Sequence, residues 1–380
     1  MPALEAVFWL AAALVAYAYA GYPLALAALA LVRSRPVARA DITPHVTFII
    51  TAYNEEQRIA EKLENTLKLA YPRERLEILV ASDCSSDRTD EIVRSCDGRG
   101  VKLVRAPARR GKEAAQKLAV EAALGEILVF SDVATVLAED ALRNIVKNFN
   151  DPGVGCASSV DRFIDRDGRP SGEGAYVRYE MFLRSLETRV HSLVGLSGSF
   201  FAARREVCRA AWSEELQSDF NTVLNAVRMG LRGVSDPDSV GYYLNIADER
   251  REYERKVRTV LRGISVFMRS LALVNPLRHP VFAWQLVSHK LCRWLVPFAM
   301  AAALAANVPL ALASPFYRAL LALQVLFYAV ALGGLLWKPL RRLPPVRLAA
   351  YFVLVNASIL QAWLRYWSGE RLVLWEPSKR

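Results

Sequence analysis

A chain of 380 residues has room for two domains, or for one domain with a membrane part, and 53% hydrophobic residues with a mean hydropathy of +0.16 favour the second. The formal net charge of +11 suits nucleic acid, an anionic membrane surface or an anionic substrate, but no nucleic-acid-binding motif and no groove-like interleaving of basic and aromatic residues is present, so nucleic acid is not expected as a partner. The five cysteines, Cys84, Cys96, Cys156, Cys208 and Cys292, carry no CxxC or Cys/His metal spacing and read as free thiols.

Residues 6–32 form the first predicted element. No charged residue lies between Val7 and Val32, and at 1.5 Å rise per residue such a run crosses a hydrocarbon core of roughly 30 Å. It is too long for a signal-peptide core and no basic residue precedes it, so it reads as a retained transmembrane helix, bent at Pro23. Residues 46–51 (VTFIIT) have strand character. AYNEEQRIAEKLENTLKL then has Ile59, Leu63, Leu67 and Leu69 on one side of a helix, with Asn54 placed to cap it and Tyr71-Pro72 to end it. Residues 76–81 (LEILVA) are a second strand, SDCSSD a turn, and 88–95 a helix begun by Asp87 or Thr89. Residues 101–105 are a short third strand, and ARRGKEAAQKLAVEAAL is a basic loop leading into an Ala-rich helix. Residues 127–130 open ILVFSDVAT, an apolar run that stops at Asp132.

The order β-α-β-α-β-α-β argues for a mostly parallel sheet with helices on both faces, whose carboxyl edge binds ligands. Three strand ends meet there, bearing Tyr53 and Glu55, Asp83 and Asp87, and Asp132. Carboxylates at that edge accept hydrogen bonds from a base and ribose, or hold the divalent cation that neutralises a diphosphate. Each Asp alone also suits a helix cap or Asx turn, Asp87 above all. Gly111-Lys112 is not a phosphate loop, since the GxxxxGK[ST] spacing is missing. A phosphate contact from Arg110 or Lys112 and a solvated basic cluster both remain open.

Residues 173–190 place Tyr176, Tyr179, Leu183, Leu186 and Val190 at helical spacing, as a core face. LVGLSGSFFAA is a tight loop running into a strand, where Gly195 and Gly198 let backbone N–H groups approach a sugar or phosphate. Gln217-Ser218-Asp219-Phe220 precedes a helix over 222–229, with Asp219 in or before its first turn, a position that also suits an N-cap. Residues 250–262 (RREYERKVRTVLR) are a basic helix next to membrane, 263–291 an interfacial amphipathic segment bringing Phe267, Phe282 and Trp284 near lipid, and 294–317, 318–337 and 347–364 three more transmembrane helices, with 365–380 a tail. Arg33, Arg35 and Arg39 follow the first helix, and Lys338, Arg341, Arg342 and Arg347 lie between the third and fourth. Both basic segments then face the cytoplasm, with 41–262 as a cytoplasmic domain.

TAYNEE, SDCSSDRT, GKEAAQKLA, FSDVAT, VGLSGSFFAARRE and QSDF, in this order over roughly residues 46–265, resemble the membrane-bound family 2 glycosyltransferases of the cellulose-synthase-like and poly-N-acetylglucosamine-synthase-like branch. The resemblance implies an α/β, Rossmann-like GT-A catalytic domain beside transmembrane helices, a nucleotide-sugar donor, and inversion at the anomeric carbon. It implies that Ala52, Tyr53 and Glu55 form the base pocket, that Asp83 holds the base or ribose, and that Lys112 lies near the diphosphate. Asp132 matches the first aspartate of the DxD motif, and Asp219 the general base of the TED-like motif. Arg255 and Arg258 stand for the arginines of the QxxRW motif, but the Gln is missing and Thr259 replaces the Trp, which puts processivity in doubt. Gly198 and Ser199 are expected on the acceptor side.

A UDP-sugar with Mg2+ or Mn2+ is the expected donor, with Asp132 as metal ligand, although Ala134 replaces the second DxD carboxylate. A lipid-linked or polysaccharide acceptor, membrane lipids and partner subunits of a polysaccharide assembly system are the other expected partners, at a bacterial-type inner (plasma) membrane. The competing readings are a processive polysaccharide synthase and a non-catalytic membrane-tethered nucleotide-binding scaffold.

Overall fold

The computed structural model describes residues 1–164, 175–244 and 249–372. The chain divides into two compact units, one made of Met1–Ala25, Asp248–Ile264 and Ala283–Arg371, the other of Leu26–Ala247, Ser265–Phe282 and Leu372–Arg380. Residues 173 and 174 of the expected 173–190 helix, and 373–380 of the expected tail, lie outside the described residues.

The second unit is built on one sheet of eight strands: β1 (Val46–Ala52), β2 (Leu76–Ser82), β3 (Val101–Arg105), β4 (Ile127–Asp132), β5 (Val136–Leu137), β6 (Val154–Ile164), β7 (Phe200–Arg204) and β8 (Arg232–Leu244), in the order β3-β2-β1-β4-β7-β6-β8-β5. The four strands read from the β-α alternation are parallel, and β7 turns the sheet antiparallel against β4. β1 is buried along its whole length, as its unbroken apolar run requires of a strand paired on both sides. One face packs Phe48, Ile50, Val80 and Val129 against Ile59, Leu63, Leu142 and Ile145. On β4, Phe130 stacks between Phe201, at 4.7 Å, and Trp212, at 5.5 Å.

Register brings the strand ends level. Ala52 pairs with Ser82 and Thr51 with Asp132, so Tyr53, Asp83 and Asp132 leave the sheet side by side. The helix after β1 runs only over Ile59–Leu67, and Asn54 does not cap it. Its backbone is left-handed (φ 50°) and its side chain bonds Ser86 instead. Asp87 makes an Asx turn, its Oδ1 accepting from Thr89 N at 3.0 Å, just before the Thr89–Arg94 helix whose N-cap is Arg88. In the Ala175–Val190 helix Leu183, Leu186 and Val190 are buried, but Tyr176 is exposed and is not core.

Among the described residues four helices are long and apolar enough to cross a membrane: Pro2–Val32, Pro280–Ala313, Pro315–Leu336 and Pro344–Trp367. The irregularity in the first lies at Tyr17–Gly21, which winds with the wider π spacing just before Pro23. A proline has no N–H for the carbonyl four residues back and crowds it, and a wide turn relieves that contact. Residues 263–291 are not one interfacial segment. Phe267 and Phe282 are buried in protein, and residues from Pro280 onward extend the second membrane helix, with a matching π-helical stretch at Val287–Cys292. Within the first unit Tyr17 hydrogen-bonds Ser288 at 2.7 Å and accepts from Trp284 Nε1 at 2.9 Å, while Phe8 and Ala11 pack on Ala299, Ala303, Ala306 and Leu310.

Candidate functional site

The Lys112–Ala122 helix opens on Gly111, whose φ of 103° lets the chain enter the helix directly from the basic loop. Lys112 at its first position is buried, and its Nζ donates to Asp132 Oδ1 at 2.5 Å and to the carbonyl of Gly198 at 3.1 Å. Asp132 N in turn donates to the carbonyl of Ser199 at 3.1 Å. Asp219 lies in the first turn of the Ser218–Arg228 helix, 8% exposed, where the helix end favours a carboxylate. Its Oδ1 accepts from Phe220 N at 2.7 Å and its Oδ2 from Gln217 Nε2 at 3.0 Å. A Cβ on residue 198 would stand 2.6 Å from Asp219 Oδ2, so Gly198 is the residue that lets this carboxylate in. Lys112, Asp132, the Gly198-Ser199 backbone and Asp219 therefore converge, although they come from distant parts of the chain.

The residues expected to form a base pocket lie at the neighbouring strand ends. Asp83 is fully buried, and its oxygens accept from Arg110 N at 2.9 Å and Gly111 N at 2.9 and 3.1 Å. Burial pushes its carboxyl above the ordinary range against those two N–H groups, so its observed work is to shape the 106–111 loop. Tyr53 carries the Arg109 guanidinium over its ring at 4.0 Å. Glu55 is buried with Arg58 Nη2 at 2.6 Å, and burial raises its pKa despite that guanidinium. Ala52 ends β1 and is buried. Cys84 has φ 57°, a strained conformation for a side-chain-bearing residue, next to the left-handed Asn54.

Arg255 and Arg258 lie on the Glu249–Met268 helix in the stretch assigned to the first unit, and Arg255 is held by Glu252 at 2.7 Å.

Several site residues left no mark in the motif pattern. Lys62 is 3% exposed, and its Nζ donates to Ser131 Oγ and to the carbonyl of Thr135, both at 2.7 Å. Burial brings its ammonium down to about 7, with Asp132 opposing. The signal was a charge on the apolar stripe of Ile59, Leu63, Thr66 and Leu67. Behind Ser199, Asp161 accepts from Ser197 Oγ at 2.6 Å and from Tyr243 OH at 2.8 Å, and Tyr243 also bonds Ser199 Oγ. Trp212 Nε1 donates to the carbonyl of Glu113, and Glu214 pairs with Arg110 and Lys117, which ties the segment before Asp219 to the Lys112 helix.

As a cation site, Asp132 offers one carboxylate, 28% exposed, while Ala134 offers none. Among the described residues no group of three or more His, Cys, Asp or Glu could hold a metal ion. This donor set fits a cation whose other ligands are phosphate oxygens and water, in the manner of Mg2+, and not a cage made by protein alone.

Comparison with known proteins agrees with this geometry. Residues 47–212 match the family described as Glycosyl transferase family 2. The succinoglycan biosynthesis protein ExoO of Rhizobium meliloti is 29% identical over 129 residues, 34% of this chain and 36% of that protein. The poly-beta-1,6-N-acetyl-D-glucosamine synthase of Staphylococcus aureus is 28% identical over 134 residues, 35% of this chain and 32% of the synthase. The beta-monoglucosyldiacylglycerol synthase of Trichormus variabilis is 26% identical over 189 residues, 46% of this chain and 39% of that protein. The chain thus spans between 32% and 39% of the length of these relatives. Among solved structures, the mannosyltransferase PcManGT from Pyrobaculum calidifontis, in complex with GDP-Man and Mn2+, superposes with a TM-score of 0.73 at 28% identity, over 97% of this chain and 100% of that one.

Proposed function

We propose that this chain, whose residues 47–212 are a family 2 glycosyltransferase domain on a GT-A sheet, moves a sugar with inversion from a nucleotide-sugar to a lipid-linked or polysaccharide acceptor in cell-surface polysaccharide or glycolipid synthesis. The observation that carries the reading is the meeting of Lys112, Asp132, Gly198 and Asp219. A carboxylate, a buried ammonium and a second carboxylate within one set of contacts are what such a transfer needs.

In this reading Asp219 accepts the proton of the acceptor hydroxyl as its oxygen bonds to the anomeric carbon. The bond to the nucleoside diphosphate breaks on the opposite face, and its electron pair leaves with the diphosphate. Lys112 holds the diphosphate, Asp132 faces the donor, and Ala52, Tyr53, Glu55 and Asp83 line the base pocket. Arg255 and Arg258 complement the donor's charge, and Gly198 and Ser199 present the acceptor. Asp132 would hold a Mg2+ or Mn2+ ion, which when bound neutralises diphosphate charge. The domain works on the cytoplasmic side of an inner membrane, with partner subunits of a polysaccharide assembly system completing export.

A UDP-sugar is the first reading of the donor. A GDP-sugar is the second, supported by the complex of the archaeal relative, which aligns over nearly the whole chain. The glycolipid synthase among the relatives supports a lipid acceptor, and the polysaccharide synthase supports a polymer.

The test is a screen of nucleotide sugars against the purified protein in lipid, reading diphosphate release with and without Mn2+. One donor should be consumed, and Asp219→Asn should bind it like the parent while turning over roughly a hundredfold or more slowly. Release from no donor, with Asp219→Asn unaltered in binding, would favour the non-catalytic scaffold. Long products from one donor would favour the processive synthase.

A further inference from the structure

We propose that Lys62 is a positioning residue for the donor, its buried amine pinning both ends of the Asp132–Thr135 turn that presents the carboxylate of Asp132. The inference rests on the donor reading above and adds to it a residue that the motifs do not include.

Lys62 projects from the Ile59–Leu67 helix and reaches two acceptors that bracket the turn, Ser131 Oγ before it and the carbonyl of Thr135 at its end. Asn65, one turn further along the same helix, makes a comparable contact with a neutral group. Its amide donates to the carbonyl of Leu137 at 2.8 Å and accepts from Leu137 N at 2.9 Å. Two oxygens beside Lys62 could be served as cheaply by an amide. Burying an ammonium costs far more than burying an amide unless a nearby anion uses its charge.

The anion whose field acts on Lys62 is Asp132, which already receives Lys112 Nζ at 2.5 Å. Lys112 touches that carboxylate and Lys62 acts on it from farther off, while position 134, where the related motif carries a second carboxylate, is Ala134. The surplus of positive charge suits an anionic diphosphate. The turn is also fixed from its other side, where Asp132 N and Thr135 Oγ1 both donate to the carbonyl of Ser199. Asp132 is thus held in a frame of which Lys62 is the charged member.

Lys62→Gln keeps an N–H for Ser131 and removes the charge, and Lys62→Met removes both. UDP and GDP are the probes, titrated by calorimetry with Mn2+ into parent and variants, beside steady-state kinetics and melting curves. Both variants should bind the nucleoside diphosphate at least about tenfold more weakly, the size expected for losing one charge-assisted contact. The donor KM should rise by a similar factor, with kcat and the acceptor KM changed by less than about threefold. If Lys62→Met does not fold, Lys62→Gln carries the test. A folded Lys62→Gln that binds the diphosphate as the parent does overturns the proposal. So does an equal fall in kcat and donor affinity with a lowered melting temperature, which marks a merely structural lysine. A parent that binds neither UDP nor GDP sinks the donor reading itself and not only the role of Lys62.

Discussion

The absent side chain of Gly198 sets the position of the proposed base. A methyl group there would lie 2.6 Å from Asp219 Oδ2, and a carboxylate in a helix first turn, tied to Phe220 N and Gln217, has little room to retreat. Gly198→Ala should therefore cut kcat by about tenfold or more while the donor affinity holds, measured by diphosphate release and calorimetry. Asp132→Ala should act differently. It removes the ion pair with Lys112 and the carboxylate proposed to face the donor, so the donor KM should rise at least about tenfold at saturating Mn2+, and parent-like activity would remove Asp132 from the site. The positions of Asp132, Lys112 and Asp219 at the ends or starts of elements could be read from the apolar runs, but the roles proposed for them came only from the resemblance to the glycosyltransferase motifs. Asp83 was legible as a position but not as a contact, since nothing in SDCSSD tells that Arg110 and Gly111 will turn their N–H groups back on it. Lys62 was hidden because a lysine at one position of an amphipathic helix ordinarily snorkels to water.

At the scale of elements, the loop that carries Gly198 and Ser199 is fastened from behind by Tyr243 on β8 and Asp161 on β6. Burial and the neighbouring Asp161 push the Tyr243 hydroxyl well above its ordinary pKa, so it stays a donor. Tyr243→Phe should cost about 1–3 kcal/mol, since it leaves Asp161 short of a partner, and thermal melting would read this directly. A loss under a few tenths of that range would mean that Ser197 alone suffices. The first four strands could be read from apolar runs bounded by turns, because a strand buried on both faces needs little else. The antiparallel half was less open to reading. β5 has two residues, and β7 gains its place beside β4 from pairing across about seventy positions, which no local pattern encodes. Asn54 shows the same limit. Its composition suits a cap, but the cross-strand partners Ser85 and Ser86 take it into a left-handed turn.

For the molecule as a whole, pH and membrane are the main external variables. His191 lies near Arg33, Arg35, Arg232 and His279, and burial together with those cations brings its imidazole down to about 4. The unfolded value is about 6.5, so between these limits the unfolded chain binds a proton that the folded chain does not. The His191 share of stability should therefore fall as pH drops from about 6.5 to 4 and level off below that. Glu252 changes stability in the same direction but at lower pH. Burial raises its pKa, but Arg255 and Lys256 more than offset this and hold it at about 2, so its contribution is lost only at lower pH, below about 4.5. Melting temperatures of parent and His191→Gln from pH 7 to 4.5 separate the two, because the variant should lack most of the early decline. Among the described residues four helices are long and apolar enough to cross a membrane, and the second runs over Pro280–Ala313 where the absence of charge marks only 294–317. Where one apolar segment passes from interface to span was not readable, since Pro280 begins a continuous helix and does not interrupt one.

The two π-helical stretches, Tyr17–Gly21 and Val287–Cys292, amount to a phase setting. Each wide turn admits one more residue than an α-turn, and one residue rotates everything beyond it by about 100°. Phe8 meets Tyr317 on one side of the first wide turn and Tyr22 meets Trp284 on the other. Deleting Ala20 should return that helix to ordinary winding and swing Tyr22 away from Trp284 without disturbing Phe8. A short crosslinker between cysteines introduced at positions 22 and 284 would then lose its yield, and one between 8 and 317 would keep it. The faces of these helices are dialled by residue count as much as by residue kind, so insertions and deletions there should be tolerated far less than apolar exchanges.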